Sequence, residues 1–126
     1  MKKALCLLTV ITCMCFALAC FAFSDDEIMN IETKAIQGDA EAQFDLGLLY
    51  EYGRGVKQDY RKAREWFEKA ATQDNAEAQY NLGVMYTKGE GVRQNYATAK
   101  EWYGKACDNG DQEGCGWYKK LNLKGY

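Results

Sequence analysis

Apolar residues recur at helical spacing along most of the chain after residue 23. One stretch carries them three or four positions apart, at Ala42, Leu46, Leu49 and Tyr50. A second stretch repeats this spacing, at Tyr60, Ala63, Phe67 and Ala70. Such spacing places the apolar side chains on one face of an α-helix. The glycine-containing segment 53–56 separates the two stretches. The pattern therefore predicts two helices joined by a short turn.

Each predicted helix follows a residue whose side chain can cap it. Asp39, Asn75 and Asp111 precede the first helices of successive pairs, and Asp59 and Asn95 precede the second helices. Side-chain oxygens at this position accept hydrogen bonds from the free N–H groups of the first helical turn. The caps therefore predict where each helix begins.

The pattern repeats with a period of 36 residues. Between segments 40–75 and 76–111, 17 of the 36 aligned positions are identical. A repeat of this length is typical of solenoids, in which each unit buries its apolar face by stacking on its neighbours. The sequence therefore predicts an all-α fold, a short right-handed α/α solenoid. Its two full units are flanked by partial capping helices within a repeat domain over residues 23–126.

A glycine occurs in the middle of both first helices, at Gly47 and Gly83. In a helix interior, glycine costs about 1 kcal/mol relative to alanine. Because both units contain it, we expect a close approach between helices at this point, against Ala63 and Ala99.

The first 22 residues have a different pattern. Lys2 and Lys3 are followed by a mostly apolar run over 4–16 and by the small-residue segment 17–19. A charged start, an apolar core and small residues before the cut are typical of a secretory signal peptide. The sequence therefore predicts a signal peptide over residues 1–22, cleaved after Ala19 or Ala22, and a periplasmic or secreted repeat domain.

Two other interpretations of the first residues remain open. Cys20 follows Leu18 and Ala19, as the lipid-attachment cysteine of a bacterial lipoprotein would. Alternatively, the 20 residues from Ala4 to Phe23 are long enough to span a bilayer without cleavage. After cleavage, we expect no contact with a membrane unless Cys20 is lipidated.

The charge of the chain argues against nucleic acid as a partner. The sequence has 16 Lys and Arg against 18 Asp and Glu, and its net charge is −2. Removal of Lys2 and Lys3 with the signal peptide would leave 14 positive residues against the same 18 negative ones. Nucleic-acid binding depends on a basic patch that neutralises phosphates, and the sequence has no basic block.

The residues that usually perform catalysis are scarce. The chain has no histidine, which removes the most common general base and the histidine ligands of zinc. It has a single serine, Ser24. The Gly-x-Gly segments 53–55 and 89–91 lack the remaining elements of a phosphate-binding loop. We identify no catalytic residue, metal site or cofactor motif, so the sequence does not favour an enzyme.

Two cysteines remain after the predicted cleavage, Cys107 and Cys115. An even number of cysteines in an exported domain predicts a disulfide. Their spacing is not the C-x-x-C of a redox pair, so we interpret the bond as structural.

The repeat resembles a known family. Its pattern is A-x-A-Q-x-x-L-G-x-x-Y-x-x-G-x-G-V, then Y-x-x-A-x-x-W, then K-A. This pattern resembles the Sel-one-like repeats, which are related to tetratricopeptide repeats. The cysteine spacing at the end of the second unit is similar to that of bacterial Hcp-type cysteine-rich members. The resemblance implies a protein–protein interaction module or adaptor with a protein or peptide partner.

The same resemblance implies an alternative function. Some Hcp-type proteins are labelled as penicillin-binding or β-lactamase-like, so a hydrolase is the alternative. The S-x-x-K and S-D-N elements of serine β-lactamases are absent from this sequence.

The resemblance also implies a binding surface. Related repeats bind partners with the inner, concave face of their first helices. Aligning Gly47 with the tetratricopeptide glycine places six residues on that face: Phe44, Leu48, Tyr52, Tyr80, Val84 and Lys88. Glu41 and Glu77 lie nearby and favour a basic partner. The alternative is that these residues pack within an array too short to expose a groove.

Overall fold

The computed structural model describes residues 23–126, and the predicted signal peptide over 1–22 therefore lies outside the described residues. Six α-helices, and no strand, form the described part of the chain. They are α1 (Asp25–Ile36), α2 (Ala40–Tyr52), α3 (Tyr60–Ala71), α4 (Ala76–Lys88), α5 (Tyr96–Asp108) and α6 (Gln112–Leu123). Within residues 23–126, none of the helices combines the length and the apolar character that a membrane crossing requires.

The predicted caps begin the helices of both full units. The Asp39 carboxylate accepts a hydrogen bond from the Ala42 N–H at 2.8 Å, and the Asn75 side-chain oxygen accepts from Ala78 N–H at the same distance. At α1, Ser24 and Glu27 form a reciprocal capping box. Local sequence therefore sets the helix starts.

The turns between units require a positive φ. Gly38 and Gly110 supply it at φ values of 100° and 97°. Asp74, in the middle turn, has φ 62° and is the only non-glycine residue with a positive φ in the described part of the chain. Aspartate tolerates this left-handed region better than most residues with a side chain.

Each helix packs on the next one along the chain, which produces the predicted solenoid. The N-terminal apolar cluster joins α1 to α2 through Ile28, Ala35, Ala42, Leu46 and Leu49. The central cluster joins α3 to α4, with Phe67, Leu82 and Met85 among its members. The C-terminal cluster is built on Ala99, Tyr103 and Leu121. The fold class predicted from the repeat is therefore confirmed.

The close approach predicted at the mid-helix glycines exists, but an aromatic ring, and not the predicted alanine, lies nearest to each glycine. A Cβ atom at Gly47 would lie 2.5 Å from Cε1 of Phe67, and one at Gly83 would lie 2.6 Å from Cδ1 of Tyr103. Ala63 is fully buried one helical turn before Phe67, yet it is not the nearest neighbour of Gly47. The glycine leaves space for the aromatic ring, which reaches further from its helix than a methyl group does.

A repeated hydrogen-bonded contact, which we call the glutamine joint, links successive units. Gln43 and Gln79 are 5% and 2% exposed. Their Nε2 atoms donate, at 3.1 Å, to the carbonyl oxygens of Ala35 and Ala71 in the preceding helix. In the second joint, Asn109 Nδ2 also donates to Gln79 Oε1 at 2.9 Å. Gln43 Oε1 likewise accepts a hydrogen bond from a side chain of its own unit. The nitrogen and the oxygen of each buried amide therefore both have a hydrogen-bond partner.

The third joint is covalent. Cys107 and Cys115 lie 36 residues after Ala71 and Gln79, the two residues of the second glutamine joint. They form the predicted disulfide, with a Cα–Cα distance of 4.5 Å. The bond ties the end of α5 to the first turn of α6. The disulfide therefore occupies the place that the hydrogen bond between Gln79 and Ala71 occupies one repeat earlier.

Candidate partner-binding surface

The first helices of the two full units flank an acidic cleft of about 390 Å³. Glu41, Phe44 and Asp45 of α2 line one side. The start of α4 lines the other side, with Asn75 and Glu77. We call this space the first-helix cleft. Phe44 is the member of the six predicted binding residues that lines it.

Four of the six predicted residues are half-buried. Phe44 and Leu48 pack against the central cluster, and the Phe44 ring lies 5.7 Å from the Phe67 ring. Tyr80 and Val84 pack in the same way against the C-terminal cluster. Each therefore supports the fold with part of its surface and leaves the rest accessible.

The remaining two residues lie away from the cleft. Tyr52 and Lys88 are the last residues of α2 and α4. Tyr52 is 60% exposed, and the Arg54 guanidinium lies 5.1 Å from its ring centre. The structure therefore does not bring the six predicted residues together in a single pocket.

The charges of the cleft act on one another. Burial raises the pKa of the Asp45 carboxyl, and the nearby carboxylates of Glu41, Glu77 and Asp39 raise it further. A cation placed in the cleft would relieve this repulsion. The electrostatics therefore favour a basic ligand.

Two residues of α6 that the repeat pattern did not predict, Glu113 and Trp117, extend this surface beside Tyr80. With Gly116 and Lys120 they line a hollow of about 320 Å³. The Trp117 ring stacks on Tyr103, with centroids 5.7 Å apart. Burial, followed by the neighbouring Glu113, raises the pKa of the Tyr80 hydroxyl.

The period of the repeat could have identified Glu113. It lies 36 residues after Glu77, which lies 36 residues after Glu41. The three glutamates therefore occupy one repeat position on α2, α4 and α6, close to the start of each helix. Trp117 gives no such signal, because Asp45 and Asn81 occupy the equivalent places.

The sequence predicts no metal site, although carboxylates such as those of the first-helix cleft are potential metal ligands. Within residues 23–126, no group of three or more histidine, cysteine, aspartate or glutamate side chains is arranged to hold a metal ion. We therefore assign the acidic residues of the first-helix cleft an electrostatic role only.

Known proteins share both the repeat and the fold. The family model for the Sel1 repeat matches residues 40–75 and 76–111. A crystal structure of c5321, a protective antigen of uropathogenic Escherichia coli with an SLR fold, is 33% identical with a TM-score of 0.75. A Sel1 repeat protein from Oxalobacter formigenes is 38% identical with a TM-score of 0.67. Cysteine-rich protein B of Helicobacter pylori is 28% identical with a TM-score of 0.70.

The shared regions cover most of this chain but differ in how much of each relative they include. The match with the E. coli antigen covers 79% of this chain and 21% of the antigen. The match with the Oxalobacter protein covers 70% of this chain and 35% of that protein. The match with the Helicobacter protein covers 72% of this chain and 68% of that protein. A shorter match, 40% identical over 47 residues, is to HRD3A of Arabidopsis thaliana, an ERAD-associated E3 ubiquitin-protein ligase component. That match covers 36% of this chain and 7% of HRD3A.

The matched repeats span more than half of the sequence, and the solved relatives share the helix-pair solenoid. The chain therefore belongs to the Sel1 repeat family.

Proposed function

We propose that this chain is an exported protein-interaction module that binds a basic peptide or helix of a partner protein in the first-helix cleft. Sel1 repeats are typically protein–protein interaction modules, which supports the general class. The observation that carries the proposal is the combination of Phe44 with the carboxylates of Glu41, Asp45 and Glu77 in one open cleft.

The two components of this surface make different contributions to binding. The half-buried rings of Phe44 and Tyr80 are held in place by Phe67 and Tyr103. Less conformational entropy is lost when a partner packs against a ring that is already held, so such rings suit the role of anchors. The carboxylates attract a basic partner and exclude acidic ones, which affects association and specificity more than the final affinity.

Replacing both rings, Phe44→Ala with Tyr80→Ala, is expected to weaken partner binding about tenfold or more, because it removes two anchors. The partner would first be captured from envelope extracts by crosslinking to the wild-type protein. Its affinity would then be measured by fluorescence anisotropy. Thermal unfolding must show that the variant is still folded at the temperature of the measurement. Full affinity in a folded variant would contradict the assignment.

A charge variant tests the same cleft without changing its packing. Glu41→Gln with Glu77→Gln should weaken binding, whereas Glu65→Gln with Glu101→Gln, exposed acids on the second helices, should not. The pH profile adds a signature of Asp45. A cation bound in the cleft lowers the raised pKa of the Asp45 carboxyl. The affinity for a basic partner should therefore be full above that pKa and decrease as the pH falls through it. Equal loss in both charge variants would mean that the effect is not local.

Export rests on the charged start, the apolar run and the small residues before residue 22. A disulfide suits the oxidising compartment that export implies. The intact mass of protein from its native host should correspond to a chain that begins after Ala19 or Ala22. An acylated Cys20 would identify a lipoprotein, and a chain that retains Met1 would contradict cleavage.

A further inference from the structure

A basic cleft of about 610 Å³ opens where the α4–α5 turn meets the start of α3. Arg61 and Arg64, one turn apart on α3, line it together with Arg93 from the turn. We call it the arginine cleft. Its lining carries three positive charges and no carboxylate, in a chain whose net charge is −2. The lining of this cleft is therefore basic.

The fold does not require an arginine at position 64. Ile28 lies 36 residues earlier and packs against Gly55, in the turn between α2 and α3. In the arginine cleft, Arg64 Nη1 donates to Glu68 Oε1 at 2.8 Å, but its Nε is buried without a hydrogen-bond partner. An unpaired buried donor destabilises a fold, and an isoleucine would avoid this cost. Packing alone therefore does not explain an arginine at this position.

The Arg64–Glu68 pair is the only ion pair among the described residues. Arg61 and Arg93 thus have no carboxylate partner within residues 23–126.

We propose that the arginine cleft binds an acidic peptide segment of a partner protein, whose carboxylates pair with the exposed guanidinium groups of Arg61 and Arg93, beside the charge of Arg64. The planar fork of a guanidinium matches a carboxylate with two parallel hydrogen bonds. Val92 and Tyr86 add apolar surface for the stems of acidic side chains. The cleft is open, and a single small anion would leave most of it unfilled.

This surface is separate from the first-helix cleft and has the opposite charge preference. Tyr86 lies near the end of α4 and Glu77 near its start, nine residues apart. At the rise of an α-helix, they are roughly 14 Å apart along the axis. The two surfaces can therefore bind a basic and an acidic segment at the same time. The arginine cleft does not depend on the proposed function of the first-helix cleft.

The test uses a fluorescent hexaglutamate peptide and the triple variant Arg61→Gln, Arg64→Ile and Arg93→Gln. The isoleucine copies Ile28, so the variant should fold, and its thermal unfolding midpoint should equal or exceed that of the wild type. Wild-type protein should bind the peptide. The variant should bind it about tenfold or more weakly, measured by fluorescence anisotropy.

The matched control removes the same charge elsewhere, with Arg54→Gln, Lys57→Gln and Lys119→Gln. Lys57 is 36 residues before Arg93, at the equivalent turn of the first unit, and all three residues are exposed. The control should weaken binding by no more than about twofold.

Four outcomes would overturn the proposal. The first is an absence of peptide binding by the wild type, and the second is an equal loss in the control. The third is displacement of the peptide by millimolar inorganic phosphate, which would indicate a site for a small anion. The fourth is self-association, detected by sedimentation, that the triple variant abolishes. This result would assign the cleft to a second copy of the chain.

Discussion

Replacing Phe67 with alanine is expected to lower the free energy of unfolding by about 3–5 kcal/mol. The ring is fully buried in the central cluster between α3 and α4. Gly47 beside it has no side chain that could fill the space, so a cavity would remain. Urea unfolding followed by circular dichroism measures the change. An equivalent replacement of the exposed Glu65 should change the stability by no more than about 0.5 kcal/mol.

The neighbouring glycine provides a stricter version of this test. In the wild-type protein, Gly47→Ala should destabilise the fold, since its Cβ would lie 2.5 Å from the Phe67 ring. With Phe67→Ala already present, the same change should stabilise the fold, because the clash is gone and alanine favours a helix by about 1 kcal/mol over glycine. The sign of the effect therefore reverses between backgrounds. If Gly47→Ala has the same sign in both, the glycine is not there to accommodate the ring.

Removing the Cys107–Cys115 disulfide is expected to lower the free energy of unfolding by about 2.5 kcal/mol, through the entropy of the loop that it closes in the unfolded chain. The variant is Cys107→Ala with Cys115→Ala. Because α6 is the last helix of the described array and packs mainly on α5, it should loosen first. Hydrogen exchange should therefore show faster exchange in α6 than in α3.

The glutamine joint supplies a matched control for the disulfide. Cys107→Ala with Cys115→Gln reproduces the residues Ala71 and Gln79 of the second joint. A buried hydrogen bond contributes about 1 kcal/mol, so this variant should be more stable than the double alanine but less stable than the wild type. If the two variants unfold identically, the joints are not equivalent.

Local features of the fold could be predicted from the sequence. Asp39 and Asn75 form hydrogen bonds within three residues, and the helices that they cap begin directly after them. The Gln79 amide could not be placed in the same way. Amides are usually found at the surface, and its partners lie on either side of α4, Ala71 at the end of α3 and Asn109 directly after α5. Its burial depends on the stacking of units.

Side-chain reach explains the error at the mid-helix glycines. The repeat identified a close approach at Gly83, but the distance that separates the helices depends on which side chain lies between them. Tyr103 fills that position, supported by Trp117. Spacing along one helix gives the face of a residue and not the neighbour that it meets on another helix.

The candidate surfaces could be predicted only in part. The repeat placed Phe44 beside Glu41 and Glu77 because these residues belong to equivalent helix starts. The arginine cleft joins residues of α3 to a turn about 30 residues later, and its charge becomes visible only in three dimensions. Arg61 and Arg93 do not share a repeat position, so the period gives no signal for their proximity.

The glutamine joint has a consequence for how such a chain can lengthen. The residues that donate and accept the hydrogen bonds of a glutamine joint recur every 36 residues. Gln43 and Gln79, for example, occupy the same position of successive units. A gene duplication that inserts one further copy of 40–75 would therefore supply every new buried amide with its partners at once. Growth of the array need not pass through an intermediate with an unsatisfied core. The disulfide differs, because a copied Cys115 without its Cys107 would leave a free thiol.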